Sequence, residues 1–301
     1  MKLTETPLAT ILTIAGSDSS AGAGLQADLK TIHALNGYAL TAATAITAQN
    51  GQGVSAVYPL ATEVVKSQLE ALFSDYEIQA VKIGMLGNQA ILETVISCLK
   101  QANLKHIVLD TVLVSSSGKP LLEFSALPLF INELLPLATV ITPNLPELNI
   151  LLNRSDSSAF KGKLAEMNEI GQLLFALGVK VAVIKGGHSS EAEATDYLLT
   201  PDKQLNGKTV IEAFSSKRLK VSNNHGTGCT YASAIATELA KGRSLSAAVK
   251  AAKDYLFSSL KSADQGQACP RQQEGKLSKG RKGGLNHFST LIQRTDEKVE
   301  K

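Results

Sequence analysis

The chain of 301 residues is 44% hydrophobic with a net charge of +3, room for one large α/β domain or two small ones, and too weakly basic to argue for a nucleic-acid partner. Its three cysteines, Cys98, Cys229 and Cys269, are odd in number and far apart, which fits neither a disulfide framework nor a zinc site and points to a reducing compartment. The amino-terminal apolar run is too short for a signal peptide and no 18-residue apolar stretch occurs, so a cytoplasmic protein without a membrane partner is expected.

Short apolar runs alternate with amphipathic stretches along the chain. Residues 10–16, TILTIAG, read as a buried strand ending in glycine. Leu25, Leu29, Ile32 and Leu35 then share one face of a helix over 24–37, with Gly37 as its stop signal. YALTAATAITA reads as strand, and Val65, Leu69, Leu72 and Phe73 form the next helix face. The pattern continues with strand 78–84, helix 90–100, strand 105–112, helix 127–135 and strand 138–144. Two helical segments reaching Leu177 and a strand over 180–187 follow. This alternation predicts a mostly parallel central sheet covered by helices on both faces. Residues 194–221 break the rhythm and predict a small antiparallel edge; helices over 228–241 and 245–261 close the fold.

Residues 262–284 are rich in Gln, Gly, Lys and Ser, which predicts an exposed flexible loop. The basic cluster there (Lys276, Lys279, Arg281, Lys282) reads as solvated, and the charged tail 293–301 as frayed. With no internal repeat, residues 1–301 are taken as a single domain.

Two glycine motifs mislead. GAGLQA at 22–27 imitates a dinucleotide fingerprint, but no Asp or Glu occurs from residue 29 to 62, where the ribose-binding acid belongs. GKLSKGRK at 275–282 imitates a P-loop but has Arg281-Lys282 in place of Lys-Ser/Thr, and no strand precedes it. A third motif, HGTGCT at 225–230, has the right context: Gly226, Thr227 and Gly228 open a helix. Backbone N–H groups and the helix dipole can there form an anion hole. Cys229 follows, where a lowered thiol pKa would make a base or nucleophile; the bland alternative is a small packed residue.

Two further clusters end predicted strands. TPNLPEL sets Asn144 and Glu147 one helical turn apart, which suits a magnesium–phosphate site and equally a helix N-cap with its capping box. IKGGH places Lys185 where a cation could meet phosphates. Alone each is weak. Ligands of parallel α/β sheets bind outside the strands' carboxyl ends, and three clusters at three such ends point to one site.

The segments LTIAGSDSSAGAGLQADLKT, TAITAQNGQGV, VKIGMLGN, VLDTVLVSSSG, ITPNLPEL, IKGGH, HGTGCT and NHF occur in this order across roughly residues 10 to 288. They closely resemble the hydroxymethylpyrimidine kinase/phosphomethylpyrimidine kinase family of thiamine biosynthesis, within the ribokinase-like superfamily. The resemblance implies a ribokinase-like α/β domain. It also implies ATP-dependent phosphorylation of 4-amino-5-hydroxymethyl-2-methylpyrimidine and then of its monophosphate, with Mg2+ as cofactor and a homodimer as assembly. By the same resemblance Gly16, Ala23, Asp28, Gln49, Met85 and Val112 form the substrate pocket. Asn144 and Glu147 serve ATP–magnesium, with Asp110 beside Glu147 as metal ligand, and Lys185 meets the phosphates. Gly226, Thr227, Gly228 and Cys229 supply the anion hole and base; sugar kinases of the superfamily carry aspartate at the position of Cys229.

These assignments make chemical sense. The Gln49 amide offers one donor and one acceptor, matching an aminopyrimidine's amino group and ring nitrogen, while Met85 and Val112 can sandwich a flat ring. Two departures from the family pattern stand out: Ser116 in place of a lysine or threonine, and Gly-Gly-Leu-Asn-His at 283–287 in place of Gly-Pro-Val-Asn-His. Pyridoxal, another flat ring with a hydroxymethyl arm, is the alternative substrate. A thiol hydrolase pairing Cys229 with His225 or His188 is the competitor from another class.

Overall fold

The computed structural model describes residues 7–114, 120–188, 193–202, 208–264 and 283–289. Ser116, Cys269, the basic cluster 276–282 and the 293–301 tail lie outside them. The described strands form one sheet: β1 (Thr10–Asp18), β2 (Tyr38–Asn50), β3 (Gly53–Pro59), β4 (Ala80–Ile83), β5 (Ile107–Leu109), β6 (Val140–Ile141), β7 (Ala182–Ile184), β8 (Glu193–Pro201) and β9 (Thr209–Lys217). Their order is β3-β2-β1-β4-β5-β6-β7-β8-β9. Neighbours from β2 through β7 run parallel, whereas β2–β3, β7–β8 and β8–β9 run antiparallel.

The central strands are apolar on both faces because both faces are covered. Leu12, Ile14, Ile83, Leu109, Ile141 and Ile184 face one core, built with α2 (Thr62–Asp75), α3 (Gln89–Gln101), α5 (Leu145–Leu151) and α6 (Met167–Ala176). Ile11, Ala80, Val108, Val140 and Val183 alternate with them and face the other core, under α1 (Gly24–Ala34), α7 (Thr227–Ala240) and α8 (Leu245–Lys261). Helix starts follow local chemistry: Asn88 caps α3 by accepting from Ile91 N at 2.9 Å, and Ser244 caps α8.

The structure departs from the sequence reading in two places. Strand β3 is unanticipated, so the sheet has an antiparallel edge at each end rather than at 194–221 alone. The helix expected over 127–135 is an irregular run, with α4 (Leu127–Leu129) passing into a π-turn and then a 3-10 turn. Pro128 stands in the first turn, where no donor is lost, but Pro136 lacks an N–H and its ring crowds the carbonyl four residues before it, so the run does not close as a regular α-helix.

Candidate active site

The parallel strands deliver their carboxyl ends, and the start of α7, to a cavity of about 370 Å³. Gly16 and Asp18 come from β1, Gln49 from β2, and Met85 and Val112 from the loops after β4 and β5. Ala23 lies just before α1 and also lines the cavity. On the other side stand Asp110, Asn144, Glu147 and Lys185, with Gly226, Gly228 and Cys229 at the helix start. Residues 50–54, the β2–β3 turn, add to its wall. A second cavity of about 400 Å³ is lined by Asp196, Lys217, Arg218, Tyr231 and Lys253, with Thr227 at its edge. Lys185, His225, Gly226 and Gly228 line both, forming the partition between them.

Gly226 fixes that partition. It is the N-cap of α7 with φ of 83°, and a Cβ there would stand 1.8 Å from the carbonyl oxygen of Gly22. Only glycine tolerates both conditions. It offers no side-chain cap, so the first-turn N–H groups of α7 keep their capacity for an external acceptor.

Lys185 sits between two carboxylates, 2.8 Å from Asp110 Oδ1 and 3.9 Å from Glu147 Oε2. Burial lowers the lysine's pKa, but Asp110 and Glu147 outweigh it and hold the ammonium charged. Burial raises Asp110 too, yet Lys185 and Lys82 keep it ionised below the usual range. Glu147 goes the other way: burial, together with the charge on Asp110, raises its pKa against the pull of Lys185. The capping box is real. Asn144 Oδ1 accepts from Glu147 N, and Glu147 Oε2 accepts from Asn144 N, both at 2.9 Å. The same two residues also line the cavity, so the cap and the site coincide.

Two expectations are corrected. Asp28 does not line the cavity; it is fully buried beneath it. Its Oδ2 accepts from Lys82 at 2.8 Å and Thr13 at 2.6 Å, and its Oδ1 from Ser233 at 2.7 Å, so the carboxylate is consumed internally. Thr227 opens α7 beside the partition and lines the second cavity, its hydroxyl donating to Asn224 O at 2.6 Å. The Cys229 thiol is not acidified: burial pushes its pKa up to about 12, with Asp28 and Asp110 adding to the rise against Lys82 and the Gly24 N–H. Desolvation here outweighs the nearby ammonium.

Sequence reasoning missed Asp18 and Lys82, which line the cavity, and Asp196 and Lys253, whose 2.7 Å ion pair lines the second. Lys82 carried a usable signal, a lysine inside the otherwise apolar strand AVKI. His225, the proposed hydrolase partner of Cys229, turns its Nε2 to Asp18 at 3.0 Å instead.

The phosphomethylpyrimidine kinase family model matches residues 18–271. A hydroxymethylpyrimidine/phosphomethylpyrimidine kinase of Rhizobium meliloti is 43% identical over 257 residues, 85% of this chain and 92% of that protein. Among solved structures, phosphomethylpyrimidine kinase from Clostridium difficile is similar at 39% identity and a TM-score of 0.69, over 82% of this chain and 97% of its own. Pyridoxal kinase from Staphylococcus aureus, solved with AMP-PCP and pyridoxal, is similar at 31% identity and a TM-score of 0.78, over 95% of this chain and 96% of its own. The chain belongs to the phosphomethylpyrimidine kinase family.

Proposed function

We propose that the protein transfers the γ-phosphoryl group of ATP to 4-amino-5-hydroxymethyl-2-methylpyrimidine, and then to the resulting monophosphate. The observation that carries this is the shared wall: two separate cavities meet at Lys185 and the open N-terminus of α7. Phosphoryl transfer needs little covalent help from protein; it needs two substrates held in line across a positive, donor-rich partition. The first cavity takes the pyrimidine, with Gln49 at its edge and Met85 and Val112 against its faces. The second takes the nucleotide, consistent with the AMP-PCP complex of the Staphylococcus relative.

Mg2+ fits the Asp110–Glu147 pair. Among the described residues no group of three His, Cys, Asp or Glu gathers as a full metal cage. Mg2+ does not need one, since it keeps waters and phosphate oxygens. Asp110 Oδ2 and Glu147 Oε1 carry no hydrogen bond from described residues, which leaves each an oxygen to offer. When bound, the ion would neutralise phosphate charge; Lys185 and the α7 N–H groups orient the same phosphates.

Ile46, Val57 and Tyr58 on the β2–β3 edge are exposed and apolar, which supports a second copy of the chain as partner. A cytoplasmic location is proposed on the free cysteines Cys98 and Cys229; among described residues no helix is long and apolar enough to cross a membrane.

Steady-state ATP consumption with the pyrimidine, its monophosphate and pyridoxal tests the reading. Turnover with the first two is expected; turnover with pyridoxal alone would transfer the assignment to that ring. Gln49→Leu is expected to cost the pyrimidine about 1–3 kcal/mol in kcat/KM, because buried polar atoms lose a partner. Pyridoxal, which has no amino group, is expected to lose less. Equal losses would remove Gln49 from substrate choice.

A further inference from the structure

The polar groups around Gln49 can be satisfied in only one way. His225 Nε2 lies 3.0 Å from Asp18 Oδ2 and 2.9 Å from the amide nitrogen of Gln49. One ring nitrogen cannot donate to the first and accept from the second. Asp18 decides between them. Its Oδ1 accepts from the Ser20 N–H at 2.8 Å and the Ser20 hydroxyl at 2.7 Å, and its Oδ2 from the N–H groups of Gly22 and Ala23 at 3.1 and 2.8 Å. Burial would raise this carboxyl, but His225, Ser20 and Ala23 bring it down to about 2, so it only accepts. The imidazole proton therefore sits on Nε2, where an amide N–H of Gln49 would meet it head-on.

Turning the Gln49 amide by half a revolution removes the conflict. Its carbonyl oxygen then faces the Nε2–H, and its NH2 faces Thr47 Oγ1, 3.1 Å from the other amide position. Thr47 is ready for that role: its single proton already goes to Ser17 O at 2.8 Å, which leaves the hydroxyl oxygen to accept. Amide oxygen and nitrogen are told apart only by such bonding, and here one orientation leaves no donor facing a donor, the single Nε2–H being shared between Asp18 Oδ2 and the Gln49 oxygen. The imidazole itself is pinned. A Cβ on Gly22 would stand 2.6 Å from His225 Cδ2, so the ring lies against bare backbone, and His225 N donates to Gly283 O at 3.1 Å.

We propose that Asp18 and His225 are specificity-determining positioning residues, acting through Gln49: the caged carboxylate fixes the imidazole tautomer, and the imidazole fixes which end of the amide points where. One amide N–H and one carbonyl lone pair remain for a ligand, in a set order that suits a ring nitrogen beside an amino group. The proposal rests on reading the first cavity as the pyrimidine site. An amide free to reverse would accept either polarity, so loosening it erodes discrimination between rings rather than catalysis in general.

The test uses the full-length protein with histidine labelled in 15N, together with His225→Leu and Asp18→Asn. Long-range 15N–1H correlation in the ligand-free wild type is expected to place the His225 proton on Nε2, and Asp18→Asn to populate the other tautomer. Both variants are expected to lose about tenfold in kcat/KM for the pyrimidine, mainly through KM, the scale of one misplaced buried hydrogen bond. Pyridoxal turnover or binding should change less. A wild-type His225 protonated only on Nδ1 overturns the proposal, as does an equal loss with both rings. The tautomer is read without substrate, so a wild-type enzyme inactive on the pyrimidine would sink the substrate assignment while the polarity of the triad is still decided.

Discussion

Cys229→Ala is expected to slow phosphorylation of the hydroxymethyl alcohol by up to about 10²–10⁴-fold at alkaline pH, where the thiolate is populated and can act as a general base, by much less near neutral pH, and to slow phosphorylation of the monophosphate least. The alcohol is a neutral acceptor whose proton must leave. A phosphate monoester, with a second pKa of about 6, is already an anion and needs no base. It needs positive potential, which Lys185 and the N-terminus of α7 provide at the partition. Lys185→Ala is therefore expected to depress both steps. The high thiol pKa sets the sign of the pH dependence. With the Cys229 thiol pushed up to about 12, its thiolate fraction grows as pH rises through neutrality, so the alcohol step should accelerate with pH in the wild type. In Cys229→Ala that limb should flatten. Separate kinetics of the two steps in each variant decide the matter. Parallel losses in both would make the cysteine part of the anion hole's packing rather than a base.

The parallel sheet was legible because its strands are apolar on both faces, and the intervening helices show a single buried stripe. Strand β3 was not, because most of Gly53–Pro59 is exposed and no alternation marks it. Asn144 and Lys185 were legible for a topological reason: a parallel sheet collects its strand ends, and these two follow β6 and β7, while the HGTGCT motif reaches the same place as the start of α7, beyond the antiparallel edge. Side-chain partners across long separations were not. Asp18 and Asp28 stand in one motif, yet the first lines the cavity and the second lies beneath it. The difference is made by His225 for Asp18 and by Lys82 for Asp28, partners 207 and 54 residues away. The thiol at 229 shows the same limit, since a helix start is visible in sequence but its burial is not.

The largest effect on stability is expected at the Lys82–Asp28 pair. Both side chains are buried from solvent, and the 2.8 Å ion pair joins β4 to α1 at the cavity floor, with Lys82 lining the cavity and Asp28 beneath it. Burial alone would discharge Lys82, but Asp28 and then Cys229 and Asp110 hold it charged and raise its pKa. Lys82→Met leaves the Asp28 carboxylate buried with hydroxyl donors only, and should cost about 3–5 kcal/mol in urea unfolding, as when one member of a buried pair is removed. Lys82→Met combined with Asp28→Asn should recover much of that loss, because no charge is stranded and the Asn oxygen can still accept from Thr13 or Ser233. The same double variant bears on chemistry. Lys82 favours the Cys229 thiolate and Asp28 opposes it, so deleting both should move the alcohol step less than deleting the lysine alone. A double variant as unstable as Lys82→Met would show that the lysine's four-carbon stem matters more than its charge.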